Sequence, residues 1–136
     1  MRVLSCENGK VRLDIDTQQR EINGLAISPD QRLIASGGDD GTVKLWNTDT
    51  GEPAGAFQAS SKSVFQLGWS ADGKYLVTAG IQPNAVVWSI PEFQIVRQFD
   101  SSNESRECLD VGKQGDVIYG SSKGIVRVAT LNDVQS

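Results

Sequence analysis

This sequence repeats itself every 42 residues. Leu25 and Ile27 align with Leu67 and Trp69, and again with Leu109 and Val111. Leu33-Ile34-Ala35 falls on Tyr75-Leu76-Val77 and then on Val117-Ile118-Tyr119. Asp30 falls on Asp72, Trp46 on Trp88, and Phe57 on Phe99. One residue is lost in the third copy, which sets Gly124-Ile125-Val126-Arg127-Val128 over Gly41-Thr42-Val43-Lys44-Leu45. Apolar and turn residues that match together at one spacing mark a chain built from copies of a single supersecondary unit.

The unit is legible in residues 37–47, GGDDGTVKLWN. Asp40-Gly41 signals a tight turn, because Gly accepts positive φ and Asp can hydrogen-bond its own backbone. Beyond it, Val43 and Leu45 point to one face of a strand, and Thr42, Lys44 and Trp46 to the other. Leu33 to Ser36 supplies the preceding strand, and Ser28-Pro29-Asp30-Gln31 a second turn with Pro at its i+1 position. The expected strands of a first full unit are 22–28, 32–37, 42–47 and 53–58. A second unit takes 64–70, 74–79, 84–90 and 94–99, and a third takes 105–111, 116–120 and 125–130 without a fourth strand. Counting back one period puts Val3-Leu4 on Leu45-Trp46, Gly9 on Gly51 and Ile15 on Phe57. Residues 2–6 and 10–15 then form the last two strands of a preceding unit. A rival register lays ENGKVRL over DDGTVKL and requires a ten-residue deletion, so the ungapped one is preferred. The segments are therefore 1–21, 22–63, 64–104 and 105–136. Four short strands in ~40–45 residues is the size of one β-propeller blade.

Composition agrees. The 136 residues are enough for one domain with a core. Val and Ile far outnumber Leu, which favours strands, and no window keeps a helical apolar period. The net charge of −4 contains no long run of either sign, which argues against nucleic acid or an acidic membrane as a partner. No apolar run approaches membrane-spanning length, and MRVLSCENGK is too polar for a signal peptide. The 2 cysteines, Cys6 and Cys108, are too few for a disulfide framework and are expected as reduced thiols.

The segment ISPDQRLIASGGDDGTVKLWNTDTG closely resembles a WD40 repeat. The second copy, WSADGKYLVTAG followed by VVW, resembles it well, and the third resembles it mainly in spacing. The resemblance covers nearly the whole chain. It implies an all-β fold of WD40-type propeller blades, each a four-stranded antiparallel sheet with strands a to d from the axis outward. About three blades are present, so the propeller is incomplete. The repeat-ending dipeptide is Trp46-Asn47 in the first copy and Trp88-Ser89 in the second, and Ala129 replaces the tryptophan in the third.

In this family a buried Asp of the b–c turn, a Ser or Thr of strand b, the strand-c Trp and a His of the d–a loop share one hydrogen-bonded network. Asp40, Ser36 and Trp46 match three of those places, but the chain contains no histidine. Gln18, Ser60 and Ser102 stand where the His would be. Thr78 and Trp88 keep two places in the second blade, where Gln82 replaces the Asp, and Lys123 replaces it in the third. Asp40 is thus expected as a buried structural acceptor rather than a catalytic acid. Trp46, Trp69 and Trp88 could stack a ligand, but their fixed strand offsets point to packing between blades. Asp39 and Asp40 are adjacent on a turn with no third ligand nearby, so no metal site is expected. SGGDDG is followed by neither Lys-Ser/Thr nor a helix, so it is no phosphate loop, and without His there is no ordinary Ser-His base. No cofactor is expected.

The function implied by the resemblance is a non-catalytic scaffold that docks proteins through loops on a stiff disc. The family's d–a and b–c loops share one face. Here they carry Gln18, Gln19, Arg20, Asp39, Ser61, Lys62, Gln82, Pro83, Asn103 and Glu104 as candidate interaction residues. Pro29, Asp49 and Asp72 belong to the opposite face. The competing readings are a propeller enzyme or small-ligand binder, and a blade set wedged within a large assembly. The remaining blades are expected from the same longer protein or from other copies of the chain. A cytoplasmic location is expected, with cytoskeletal, ciliary and nuclear settings as alternatives.

Overall fold

The computed structural model describes residues 1–81, 85–99, 106–113, 115–121, 124 and 126–130. It is built of antiparallel strands: β1 Arg2–Leu4, β2 Val11–Asp14, β3 Ile22–Ile27, β4 Leu33–Gly38, β5 Thr42–Asn47, β6 Pro53–Gln58 and β7 Val64–Trp69. There follow β8 Tyr75–Gly80, β9 Ala85–Ser89, β10 Gln94–Phe99, β11 Arg106–Val111, β12 Asp116–Ser121 and β13 Val126–Thr130. The strands pair strictly with their chain neighbours, giving sheets β1–β2, β3–β6, β7–β10 and β11–β13. Short turns allow this, because an antiparallel pair needs no crossover. The innermost strands β3, β7 and β11 lie side by side and align the three larger sheets face to face.

Successive side chains face opposite sides of a strand, and in β4, β8 and β9 both sides are buried, so the core lies between sheets. On β5, Val43 and Leu45 are buried against Val64, Leu67 and Trp69 of the next sheet. On the other side of the same strand Trp46 packs with Ile34 and Ile15, against Met1, Val3 and Leu13 of the first sheet. The three tryptophans are buried between sheets, and the Trp69 indole N–H donates to the Ala26 carbonyl across the boundary at 3.3 Å. Trp88 meets Phe57 at a ring-centroid distance of 4.7 Å. Each such buried side chain stabilises by roughly 1.5–3 kcal/mol before entropy is counted.

The third sheet corrects the expected alignment. Ile27 pairs with Ile34 and Trp69 with Leu76, but Val111 pairs with Val117 rather than Ile118. The missing residue therefore belongs to the a–b turn. Ser28 N bonds Leu33 O and Ser70 N bonds Tyr75 O, five residues on, whereas Gly112 N bonds Asp116 O, four residues on. The shift turns Val117 inward, where it is fully buried with Val77, Ala85 and Val87, and turns Ile118 outward. A one-residue slip flips every side chain of a strand, which is why the apolar pattern could not show on which side of strand b the loss fell.

Candidate protein-interaction site

Four loops meet at one end of the sheets. The Asp39 amide donates to the Glu21 carbonyl at 3.0 Å, tying the β4–β5 turn to the β2–β3 loop. The Ser63 hydroxyl donates to the Asp39 carbonyl at 3.1 Å, and the Ile81 amide to the Ser63 carbonyl at 3.3 Å, which carries the tie into the next sheet. Gly41 closes the β4–β5 turn at φ +81°, and its carbonyl accepts from the amides of Ala59 and Ser60. A Cβ at Gly41 would lie 1.9 Å from the Ser60 carbonyl oxygen, so no other residue fits this contact.

On this frame Gln18, Arg20, Ser61 and Lys62 are exposed and Gln19 and Asp39 half-buried. Gln18 takes φ +58°, which directs the chain so that Gln19 turns inward. The Arg20 guanidinium reaches Asp39 Oδ2 at 3.1 Å, while Asp39 Oδ1 is buried with no hydrogen-bond partner. Six of the candidate interaction residues are thus brought together. Gln82, Pro83, Asn103 and Glu104 lie outside the described residues, as do Ser102 and Lys123.

Beneath this face runs the hydrogen-bonded network, in a form that corrects two expectations. Trp46 Nε1 donates to Ser36 Oγ at 3.0 Å, and Ser36 Oγ donates to Gln19 Oε1 at 2.7 Å. Gln19 Nε2 donates to Thr42 Oγ1 at 3.0 Å, and Thr42 Oγ1 donates to Asp40 Oδ1 at 2.6 Å. Gln19, not Gln18, occupies the place of the absent histidine. Its amide offers both a donor and an acceptor, as the relay requires. Asp40 touches neither Ser36 nor Trp46 and is exposed rather than buried. It fixes the turn through Thr42, whose hydroxyl holds the Asp40 carboxyl below its ordinary pKa. In the next sheet Trp88 Nε1 donates to Thr78 Oγ1 at 3.0 Å.

The opposite end carries the expected turn at Ser28–Gln31 and its repeat at Ser70–Gly73, each closed by a serine–carboxylate bond that was not expected. Ser28 Oγ donates to Asp30 Oδ1 at 2.6 Å and accepts from the Leu33 amide at 3.0 Å. Ser70 Oγ donates to Asp72 Oδ1 at 2.7 Å and accepts from the Tyr75 amide at 3.0 Å. The serine hydroxyl lowers the pKa of Asp30 and of Asp72, followed by the amides of Arg32 and Lys74 respectively. The signal was present as Ser-x-Asp at the same offset in both copies. Among the described residues no cluster of His, Cys, Asp and Glu could hold a metal ion.

Comparison with known proteins follows the same lines. The chain is 31% identical over 99 residues to the pre-rRNA-processing protein IPI3 of Mycosarcoma maydis, spanning 65% of this chain and 17% of that protein. It is 27% identical to the target of rapamycin complex subunit wat1 of Schizosaccharomyces pombe, spanning 83% of this chain and 36% of that one. It therefore spans well under half the length of these relatives. The solved structure of U3-55K superposes with a TM-score of 0.81 at 20% identity, covering 87% of this chain and 38% of the other. The family profile for "WD domain, G-beta repeat" matches residues 9–47 and 51–89, each match running from the turn before one outermost strand to the third strand of the next sheet. With over half its length in those two matches and the sheets to go with them, the chain belongs to the WD40 repeat family.

Proposed function

We propose that this chain is an arc of a larger WD40 propeller and serves as a non-catalytic scaffold for protein–protein contacts. The observation that carries the reading is the hydrogen-bonded seam Glu21–Asp39–Ser63–Ile81, which holds loops of adjacent blades in one rigid surface. A surface fixed before binding loses little entropy when a partner docks. One of the relatives above is, by its name, a subunit of a protein complex. The proposed contact residues are Gln18, Arg20, Asp39, Ser61 and Lys62, with Gln82, Pro83, Asn103 and Glu104 on the same face by the repeat. Gln19 is reassigned to the network below. A cytoplasmic setting accords with the exposed free thiol of Cys6.

That the arc is completed by further blades, from the same longer protein or from other copies, is supported by its last described sheet. Ile118, Val126 and Val128 are 41%, 70% and 66% exposed, whereas their repeat counterparts Ala35, Val43 and Leu45 are 0%, 0% and 2% exposed. The test of the scaffold reading is affinity capture of cross-linked partners with the chain in its native setting. Arg20→Glu with Lys62→Glu is expected to lose the captured partner, and Asp49→Lys with Lys74→Glu to retain it. The reverse result assigns docking to the other face.

A further inference from the structure

Three cross-strand pairs occupy one place in successive sheets. Arg2 stands opposite Asp14 on β1–β2, Lys44 opposite Ala56 on β5–β6, and Val86 opposite Gln98 on β9–β10. Opposed residues of an antiparallel pair share a face, so each pair can close on itself. The first pair does: Arg2 Nε lies 3.5 Å from Asp14 Oδ2. The third carries no charge. The middle pair keeps the cation and lacks the carboxylate. Lys44, which is half-buried, turns instead across the boundary, and its ammonium donates to the Thr17 carbonyl at 2.7 Å. An ammonium carries three donors. Among the described residues this carbonyl is the one acceptor of Lys44 Nζ, and no carboxylate lies within ion-pair distance of it.

The place of the missing carboxylate is open. A groove of about 450 Å³ lies between the segment after β2 and the outer strands β5 and β6. Lys44 and Ala56 stand in its wall, and Trp46 and Pro53 give it apolar surface. One repeat later the larger Gln98 and Ile95 stand at the places of Ala56 and Pro53. An occupant of this groove therefore meets a cation with unused donors beside apolar side chains. A carboxylate supplies acceptor oxygens and the opposite charge at once, which makes it the strongest match to a partly buried ammonium.

We infer that the groove docks an acidic side chain, Asp or Glu, carried on an extended apolar segment of a partner protein. Its carboxylate takes at Lys44 the place that Asp14 takes at Arg2, and its apolar neighbours rest on Trp46 and Pro53. This surface runs along the side of the sheets and adds to the end face proposed above; its assignment rests on the reading of the chain as a docking scaffold. Asp16 is the one like charge in the lining. Its carboxylate is exposed and accepts from the Gln18 amide at 2.9 Å, so it opposes the ligand without pairing with Lys44.

Two capped, dye-labelled peptides test the groove, Ser-Val-Glu-Val-Ser and the same peptide with Gln at its centre. Each is titrated against the chain in its native setting and followed by fluorescence anisotropy. The Glu peptide is expected to bind about tenfold tighter than the Gln peptide, the scale of one charge-assisted hydrogen bond. Lys44→Gln is expected to abolish that preference. So is Ala56→Asp, which gives Lys44 a carboxylate from its own sheet, as Asp14 does for Arg2; a melting temperature no lower than that of the parent shows that this variant is folded. Asp16→Asn is expected to tighten the Glu peptide by about twofold. Equal affinity of the two peptides, or no measurable binding of either, overturns the inference. So does a preference that survives Ala56→Asp. Displacement of the Glu peptide by acetate at the same concentration makes a small anion the occupant and overturns the partner segment. Arg20→Glu with Lys62→Glu is expected to leave the preference intact, and its loss there would move the acidic contact to the end face. Partner capture reports on that end face and the peptide preference on the groove, so either can fail without the other.

Discussion

The Phe93 ring lies directly over Gly55. A Cβ built on Gly55 would sit 2.6 Å from Phe93 Cζ, and the same ring stacks on Phe57 with centroids 5.1 Å apart. One repeat earlier the sizes are exchanged: Leu13 stands at the place of Gly55 and Gly51 at the place of Phe93, with a Cβ on Gly51 3.6 Å from Leu13 Cδ2. These two boundaries thus each hold one large and one small residue, contributed from opposite sides. Gly55→Leu alone is expected to lose about 1–3 kcal/mol by overpacking. Phe93→Gly alone is expected to lose about 2 kcal/mol, less than a fully buried Phe because Phe93 is half-buried. The double variant should recover at least about 1 kcal/mol, within the usual coupling of residues in contact. Urea unfolding of the four chains measures the cycle, and strict additivity would show that the exchange is incidental.

Gln19 and Gln18 are neighbours in sequence with opposite expectations. Removing the Gln19 amide leaves the fully buried Ser36 hydroxyl with only the long 3.4 Å contact to the Lys44 carbonyl as acceptor. Gln19→Ala should cost ~1–3 kcal/mol, the penalty of an unsatisfied buried polar group. Gln18→Ala should stay within about 1 kcal/mol, because that side chain is exposed. Thermal melts of the two variants decide which glutamine belongs to the network.

Two glycines separate backbone strain from collision. Gly41 at φ +81° and Gly73 at φ +73° both sit in the left-handed region. The nearest atom to a Cβ at Gly73 is Pro29 Cδ at 3.9 Å, in contrast to the 1.9 Å contact at Gly41. Gly73→Ala is expected to cost ~1–2 kcal/mol, the conformational term alone. Gly41→Ala should cost at least ~3 kcal/mol, since the loop containing Ser60 must move as well. Comparable denaturation midpoints for the two would mean that the loop is not held against Gly41.

The Ser-x-Asp turns make stability fall in acid. Hydrogen bonding from Ser70 first, then from the Lys74 amide, lowers the Asp72 pKa in the folded chain. A lowered folded pKa means that the contribution is present above the unfolded value, ~3.9 for Asp. It is lost as pH falls through that value toward the folded one. Asp72→Asn should therefore flatten the dependence of the melting temperature on pH below about 4 and reduce stability slightly at neutrality. An unchanged slope would show that the turn carboxylate contributes nothing in acid.

Strands and turns were legible in the sequence because their causes are local. Period-two alternation chose the two faces of β5, and Gly or Asp at fixed offsets chose the turns. The 42-residue spacing made each copy support the others. Tertiary structure decided what depends on which atoms meet across a boundary. It chose Gln19 over Gln18, since only the direction of the backbone at Gln18 determines which amide reaches Ser36. It placed the lost residue in the turn between β11 and β12, since only the pairing partner of Val111 distinguishes the two sides of a strand. It left Asp40 exposed, because Thr42 reaches that carboxylate first. It matched Leu13 with Gly51 and Gly55 with Phe93, because close packing fixes the sum of facing volumes and leaves their division between the two sides to the neighbour.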